Sequence, residues 1–245
     1  MQNKINIGII GKNFGYNVIY KSFLKNKNYR IKGFCFKSKK IEKLAIPKNI
    51  KIYSSWKKLI LDKKIDAIAI SSPPATHKKI VVFAVKNNKH IFCEKPMASS
   101  YNDASFLCNL VKNKKISHIV NYEFADINAF QFFKKKIRKN LNISKIYLNW
   151  FININRRSNN SWKENHSKGG GIFFNYICHT IYYMEYLFRD KLIIFEWKGE
   201  EVLRATSSGK RLCYFKELDS ANELIGEAES ITNAIGNVAQ ISGTS

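Results

Sequence analysis

The chain has 245 residues, 45% hydrophobic and 13% aromatic. That globular composition excludes a disordered or low-complexity chain and suits one large domain or two small ones. Its formal charge of +24 arises from 42 Lys and Arg against 18 Asp and Glu, a balance typical of polyanion binders. Only seven of the 42 are Arg, however, and Arg dominates base-edge and planar phosphate recognition. The lysines are spread along the chain beside abundant Ile and Asn, as an AT-rich coding bias produces. No helix-turn-helix, zinc-finger or RNP-like pattern accompanies them. General basicity is therefore preferred to polyanion binding, and no specific nucleic-acid partner is expected.

No apolar run approaches the roughly 20 residues of a membrane-spanning helix, and Met1 to Ile5 lead directly into a strand-like run with no secretory signal. Cys35, Cys93, Cys108, Cys178 and Cys213 are scattered without a Cys-x-x-Cys pair. That spacing argues against a disulfide framework and a metal site, and for a reducing cytoplasm.

Along the first hundred residues, apolar strand-like runs alternate with amphipathic helical stretches, the pattern of a parallel sheet covered by helices on both faces. Ile5–Ile10 is a continuous apolar run ending at Gly11, as expected of a buried central strand. A helix over Tyr16–Leu24 and strands over Tyr29–Phe36 and Ile50–Tyr53 follow. Ser54 or Ser55 is placed to cap a helix running to Leu61. Asp66–Ser71 is the fourth strand, and Pro73 and Pro74 break it before a helix over Thr76–Asn87. His90–Cys93 is the fifth strand. Ser99 or Ser100 caps a helix to Lys112, and Ile116–Tyr122 is the sixth strand.

After Tyr122 the texture changes. A helix over Asn128–Asn140, a strand over Ile143–Ile154, a polar loop and the triplet Gly169-Gly170-Gly171 precede an aromatic helix over Phe174–Phe188 and a strand over Leu192–Trp197. Residues 1–198 hold 38 basic and 11 acidic residues, whereas residues 199–245 hold 4 and 7, so the tail is a compositionally distinct segment. The expected domains are 1–121, 122–198, and an unassigned tail 199–245.

The first strand ends in Gly11-Lys12-Asn13-Phe14-Gly15. Such a turn lets backbone N–H groups approach a pyrophosphate that the following helix N-terminus stabilises. Against the Gly-x-Gly-x-x-Gly spacing, Asn13 stands at the second glycine position and Tyr16 at the third, with Gly15 one place early. Asn tolerates positive φ better than other non-glycine residues, which would let the turn survive. After the second strand comes Phe36-Lys37-Ser38-Lys39-Lys40, with no acid before Glu42. An acidic residue there selects NAD, whereas basic and hydroxyl residues accept a 2′-phosphate. NADP is therefore preferred to NAD, with Lys37, Ser38 and Lys39 as contacts.

Asp66 to His77 (DAIAISSPPATH), then Ala84, then His90 to Ala98 (HIFCEKPMA) resemble the Gfo/Idh/MocA oxidoreductases. Val120 to Phe124, and Gly169-Gly170-Gly171 through Asn175 to His179, resemble later motifs of that family. The resemblance runs in order over about residues 4–190. It implies an α/β fold: an N-terminal Rossmann domain with a doubly wound parallel sheet, and a second, here truncated, α/β domain carrying an open mixed sheet that often forms the oligomer interface. It also implies hydride transfer between a nicotinamide and a hydroxyl carbon of a sugar or cyclitol. A homo-oligomer is expected if that second sheet is complete.

Oxidising a secondary alcohol requires a hydride acceptor and a group that takes the hydroxyl proton. Lys95 follows a buried strand at its C-terminal end, where open α/β sheets bind ligands, and burial or a nearby charge there can make a lysine amine a working base. Glu94 is placed to orient Lys95 or the cofactor amide. Asn175 and His179, one helical turn apart, match positions where the family commonly carries Asp and His. His179 is a candidate acid/base, while Asn175 can bond a substrate hydroxyl but cannot carry a proton. The resemblance adds Ser72, Pro73 and His77 on the cofactor side, His77 mainly in a structural part, and a cis Lys95–Pro96 bond. Arg156, Arg157, Trp162 and Lys163 are placed to recognise a sugar or its phosphate.

The leading expectation is an NADP-preferring oxidoreductase acting on a sugar, nucleotide sugar or cyclitol through Lys95 and His179. The alternative is a catalytically impaired relative that binds nucleotide or serves as a partner subunit.

Overall fold

The computed structural model describes residues 4–36, 44–139, 143–150, 162–165, 168–171, 174–175, 178–188, 199–205, 211–218, 224–226 and 237–243. The chain divides into two compact units, Met1–Tyr122 with Trp162–Cys178, and Glu123–Ser161 with His179–Ser245.

In the first unit, β1 (Ile5–Ile10), β2 (Tyr29–Cys35), β3 (Lys51–Tyr53), β4 (Ala67–Ile70), β5 (His90–Glu94) and β6 (His118–Asn121) form one parallel sheet in the order β3-β2-β1-β4-β5-β6. The connecting helices are α1 (π-helical over Gly15–Tyr20 and α-helical over Lys21–Leu24), α2 (Trp56–Leu61), α3 (His77–Lys86) and α4 (Tyr101–Lys112). This is the doubly wound Rossmann arrangement. Of the alternative caps, the structure selects Ser55, whose Oγ accepts from Lys58 N at 3.2 Å, and Ser100, whose Oγ accepts from Asp103 N at 3.2 Å. Helical backbone begins at Asn13, three residues earlier than the periodicity predicts, and is wound as a π-helix over Gly15–Tyr20. Its wide turns follow directly on a glycine turn that is one residue shorter than the standard spacing.

The two-residue period of the strands sorts the core onto the two faces of the sheet. Ile7 and Ile9 of β1 and Ala67 and Ala69 of β4 join Ile19, Tyr20, Ile31 and Phe34 on one face. The small alanines there face a side crowded by aromatics, with Tyr20 and Phe34 edge to face at 5.2 Å. Ile10, Ile68 and Ile70 belong to the other cluster, with Leu59, Ile80, Val85, Leu107 and Val111 from the helices. Strands buried on both faces need apolar residues at every position, which explains the runs from Ile7 to Ile10 in β1 and from Ala67 to Ile70 in β4. At the N-terminal end of the sheet Lys89 is held in the core because its Nζ donates to Asp62 O (3.0 Å) and Ile65 O (2.5 Å). Burial holds its amine below the usual lysine range.

The second unit contains α5 (Asn128–Lys139), β7 (Ile143–Trp150), α6 (Cys178–Phe188), β8 (Gly199–Ala205), β9 (Arg211–Leu218), β10 (Leu224–Gly226) and β11 (Asn237–Gly243). β8, β9 and β10 pair antiparallel, and β11 pairs antiparallel with β7. α5 and α6 meet through aromatic rings, Phe130 lying 4.9 Å from Tyr183, and Gln131 Nε2 donates to Tyr186 Oη at 2.8 Å. The strand expected over Leu192–Trp197 lies outside the described residues. No helix among the described residues is long and apolar enough to cross a membrane.

Leu59 is fully buried between the sheet and its helices. Leu59→Ala is expected to lower unfolding stability by about 2–5 kcal/mol, the range for a buried leucine truncated in a packed core. Urea unfolding followed by far-ultraviolet circular dichroism checks this. A loss below about 1 kcal/mol would mean that the α2 side of the core relaxes into the cavity.

Candidate active site

The strand order reverses between β1 and β4, and the chains leaving those strands part at their C-terminal ends, which opens the crevice where such sheets bind ligands. Ser71 N donates to Ile10 O at 2.8 Å and Ser71 Oγ to the same oxygen at 3.1 Å, while Gly11 N donates to Cys35 O at 3.0 Å. Gly11 has φ +122°, and a Cβ there would lie 2.7 Å from the backbone carbon and oxygen of Ser71. Glycine is required because two main chains touch at this point. Asn13 does not take the left-handed conformation that its position in the motif suggested. It is helical, and among the described residues Asn88 is the non-glycine residue at positive φ. The turn thus relies on Gly11 alone, and the chain enters α1 at once.

The turn fits a dinucleotide. It carries no bulky side chain at Gly11, and the first turn of a helix presents backbone N–H groups that its own ladder does not use. The Gly11–Gly15 turn would hold the pyrophosphate, with Lys12 beside it. Lys37, Ser38 and Lys39 lie outside the described residues.

Beyond β4 the loop carries Ser72 and Pro73 and then a 3-10 turn, Pro74–Thr76. Thr76 Oγ1 is 2.6 Å from Ser72 Oγ and donates to Pro73 O at 2.8 Å, which tightens this loop. His77, which the resemblance puts on the cofactor side mainly in a structural part, is completely buried, with Nε2 2.7 Å from Ser72 O and Nδ1 3.0 Å from Pro96 O. It leaves no surface for a ligand and supports the loop from beneath. Burial pushes its imidazole below the usual histidine range, against the pull of the surrounding backbone carbonyls.

At the end of β5, Glu94 is buried and its Oε1 accepts from Asn121 Nδ2 at 2.7 Å. The two residues are register partners on β5 and β6, so their side chains leave the sheet on one face. Asn121, which in the sequence stands out only within the Val120 to Phe124 motif, joins the candidate site through this bond. Its position at the end of the sixth strand, level with Glu94, was the available signal. Lys95 is followed by a cis bond to Pro96. Its Nζ donates to the backbone oxygen of Asn175 at 2.6 Å.

Asn175 is a π-helical residue of the first unit, following the turn of Gly169 to Gly171. Gly169 has φ +76°, and a Cβ there would lie 2.7 Å from Pro74 Cβ. Gly171 N donates to Lys163 O at 2.7 Å, and Gly170 N donates to Asn165 O at 2.9 Å. The buried Asn175 uses Nδ2 to donate to Lys163 O (3.1 Å) and Gly171 O (2.7 Å). Both hydrogens of its amide are therefore spent on the loop. The donor expected for a substrate hydroxyl holds the backbone instead, and the residue meets Lys95 through its own main chain. Lys163 has an exposed side chain and Trp162 a half-buried one, and both contribute backbone oxygens to this loop.

Within the helix expected over Phe174–Phe188, Phe174 and Asn175 are π-helical and α6 runs over Cys178–Phe188, while Asn175 and His179 fall in different compact units. His179 is buried, with Nδ1 3.4 Å from Tyr183 Oη. Tyr182 stacks on Tyr186 at 5.9 Å within the same unit. Arg156 and Arg157 lie outside the described residues.

Comparison with known proteins agrees with the Rossmann fold of the first unit. Residues 5–122 match the Gfo/Idh/MocA oxidoreductase family with its NAD-binding Rossmann fold. Over these residues the chain is similar to that family. It is 30% identical over 141 residues to levoglucosan dehydrogenase of Pseudarthrobacter phenanthrenivorans, covering 55% of this chain and 36% of that protein. It is 29% identical over 130 residues to 2,7-anhydro-N-acetylneuraminate hydratase of Escherichia coli, covering 51% and 34%. Among solved structures, an aldose-aldose oxidoreductase from Caulobacter crescentus superposes with a TM-score of 0.74 at 17% identity, over 98% of this chain and 75% of its own. The chain spans about a third of the length of these two curated relatives.

A Cβ at Gly15 would lie 2.6 Å from the Ser71 hydroxyl oxygen, a group that can rotate away. Gly11→Ala is therefore expected to destabilise the fold by about 1–3 kcal/mol more than Gly15→Ala, the cost of a strained non-glycine φ. Thermal unfolding of the two variants measures this, and equal midpoints would show that the β1–β4 approach tolerates a side chain.

Proposed function

We propose that this chain serves an NAD(P)-dependent oxidoreductase, transferring hydride between a nicotinamide and a secondary alcohol or ketone of a sugar, nucleotide sugar or cyclitol. NADP is the preferred cofactor on the strength of Lys37, Ser38 and Lys39. The observation that carries the reading is Lys95. Its amine is held at the C-terminal end of the central sheet by the Asn175 carbonyl, beside the Glu94–Asn121 pair and on the same sheet edge as the Gly11 turn.

A bound nicotinamide supplies the two-electron acceptor or donor. The Gly11–Gly15 turn binds the pyrophosphate, and Ser72 and Pro73 flank the dinucleotide from the β4 side. Glu94, fixed by Asn121, meets the carboxamide. Lys95 Nζ takes the substrate hydroxyl proton in oxidation and returns it in reduction. His179 is assigned the second proton-transfer role. Arg156, Trp162 and Lys163 recognise the substrate, and Asn175 positions Lys95. A homo-oligomer formed through the sheet of the second unit, acting in the reducing cytoplasm, completes the proposal. The sugar-acting names of the relatives support the substrate class.

A second reading, a nucleotide-binding or partner subunit of reduced activity, draws on Asn175. This residue carries no proton, and its amide is committed to the loop. Titration of the full chain with NADPH and NADH, read by nicotinamide fluorescence, is expected to show saturable binding that favours NADPH. Tighter NADH binding would overturn the cofactor preference, and failure to bind either from a folded sample would overturn the oxidoreductase reading. In a screen of aldoses, nucleotide sugars and inositols, Lys95→Ala is expected to lower turnover by about 10²–10⁴-fold with little change in nucleotide affinity. Unchanged turnover would remove Lys95 from the chemistry.

A further inference from the structure

We propose that the end of the parallel sheet opposite the crevice is a phosphate-binding surface that holds duplex nucleic acid without reading its sequence. It uses none of the residues assigned to the dinucleotide or to hydride transfer.

Helices α1 to α4 each return the chain from the crevice end of the sheet to the other end. The turns at residues 25–28, 62–66, 87–89 and 113–117 join α1 to β2, α2 to β4, α3 to β5 and α4 to β6. Backbone bonds set these turns along one edge. Ile5 N donates to Asn28 O (2.9 Å), Asp66 N to Asn6 O (2.9 Å), His90 N to Asp66 O (3.0 Å) and Ile91 N to Ser117 O (2.9 Å). Six paired strands make that edge about 24 Å wide.

Three of the turns each display two exposed lysines: Lys25 and Lys27, Lys63 and Lys64, Lys114 and Lys115. Lysines dispersed in the sequence are thus collected by the topology, because every helix-to-strand turn falls at the same end of the sheet. Helix C-termini attract cations through their own dipole. Lys86 and Lys112, in the last turns of α3 and α4, already serve that need, and the six turn lysines stand beyond it. The acids of these turns are Asp62 and Asp66. Asp62 accepts from Tyr53 Oη (2.5 Å) and Lys64 N (2.8 Å), and Asp66 accepts from Asn6 N (2.8 Å). Among the described residues the ion pair is Lys78 with Asp103, so none of the six amines is paired to a carboxylate.

The chemistry of the edge favours nucleic acid over a lipid surface. A bilayer holds a protein through inserted apolar side chains as well as charge. In these turns Ile65 is buried and Ile116 half-buried, which leaves Lys, Asn, Asp and Ser to face solvent. The exposed Leu24 and Leu61 close α1 and α2, and helical Cβ bonds tilt toward the helix N-terminus, away from this edge. Lysine is a compact point charge that suits phosphate and lacks the planar fork that reads guanine. Six of them along the edge face a backbone that carries one charge per about 1.7 Å of duplex.

Fluorescence anisotropy of the full chain with two labelled DNA duplexes of unrelated sequence tests this. Both duplexes are expected to bind equally. The combined variant Lys63→Gln, Lys64→Gln, Lys114→Gln and Lys115→Gln is expected to weaken binding at least about tenfold at about 0.1 M salt. It should also lower the slope of log Kd against log salt by about three to four, close to one for each lost phosphate contact. A control of equal charge, Lys57→Gln, Lys58→Gln, Lys78→Gln and Lys79→Gln, lies in the first turns of α2 and α3 at the crevice end. Screening over that distance limits its effect to about twofold. Equal losses in the two variants, a twofold or greater preference for one duplex, or a wild type that binds neither would overturn the surface. Displacement of the duplex by NADPH at constant ionic strength would also overturn it, by putting the duplex in the crevice. Duplex binding by a chain that binds no NADPH or NADH would support the surface while removing the nucleotide reading.

If the combined variant fails to fold, trace acetylation of wild type, resolved by peptide mass spectrometry, decides the matter. The duplex is expected to protect Lys63, Lys64, Lys114 and Lys115 more than Lys57, Lys58, Lys78 and Lys79, and uniform protection overturns the proposal. Vesicles of phosphatidylcholine and phosphatidylserine in equal parts, matched to the duplex in anion concentration, are expected to protect the turn lysines less. Equal or greater protection by vesicles would make the edge a lipid surface and overturn the nucleic-acid assignment.

Discussion

Two main chains touch at the centre of the sheet, and the candidate site is arranged around that contact. β1 and β4 run side by side until Ile10 and Ile70, and Ser71 then closes the pair with two bonds to the Ile10 oxygen. Gly11 must pass within contact distance of the Ser71 backbone before the chain turns into α1. A side chain at that point would hold the two strands apart. The crevice between the departing chains exists because the strands stay paired to the last rung and then separate.

Around this contact the polar groups are satisfied in a connected way. Ser71 bonds back to β1, Ser72 bonds to Thr76, His77 stands between Ser72 and Pro96, and Glu94 takes a donor from Asn121. Among the described residues no buried side-chain nitrogen or oxygen lacks a partner. That matters because an unpaired polar group in a dry interior costs more than a typical bond contributes. The returning loop follows the same logic. The carboxamide of Asn175 joins Lys163 to Gly171, which shapes the segment whose main chain receives the Lys95 amine. An asparagine in a position suited to substrate chemistry is thereby used as a structural bracket.

The architecture of the first unit was largely legible in the sequence. Apolar runs within Ile5–Ile10 and Asp66–Ser71 mark strands buried on both faces over Ile7–Ile10 and Ala67–Ile70, and the serines at 55 and 100 mark helix starts, because these signals depend on local chain geometry. The placement of Gly11 and of the Glu94–Lys95 turn at the C-terminal ends of strands was also legible. The role of Asn13 was not. A motif spacing suggests a left-handed residue there, but the one-residue shortening of the turn lets the helix begin at that position. Nor did four-residue spacing reveal that Asn175 and His179 belong to different compact units, because helical periodicity carries no information about which tertiary contacts each turn makes.

The sequence by itself determined the alternation of strand and helix, the apolar faces and the residues available for chemistry, since these follow from side-chain period and backbone preference. The tertiary structure decided which of those residues meet. Lys95 finds the Asn175 oxygen across 80 positions of the chain, and His77 meets Pro96 across 19. Contacts of that kind arise when strands are ordered and loops return, and both depend on the packing of the whole unit rather than on any local stretch of residues.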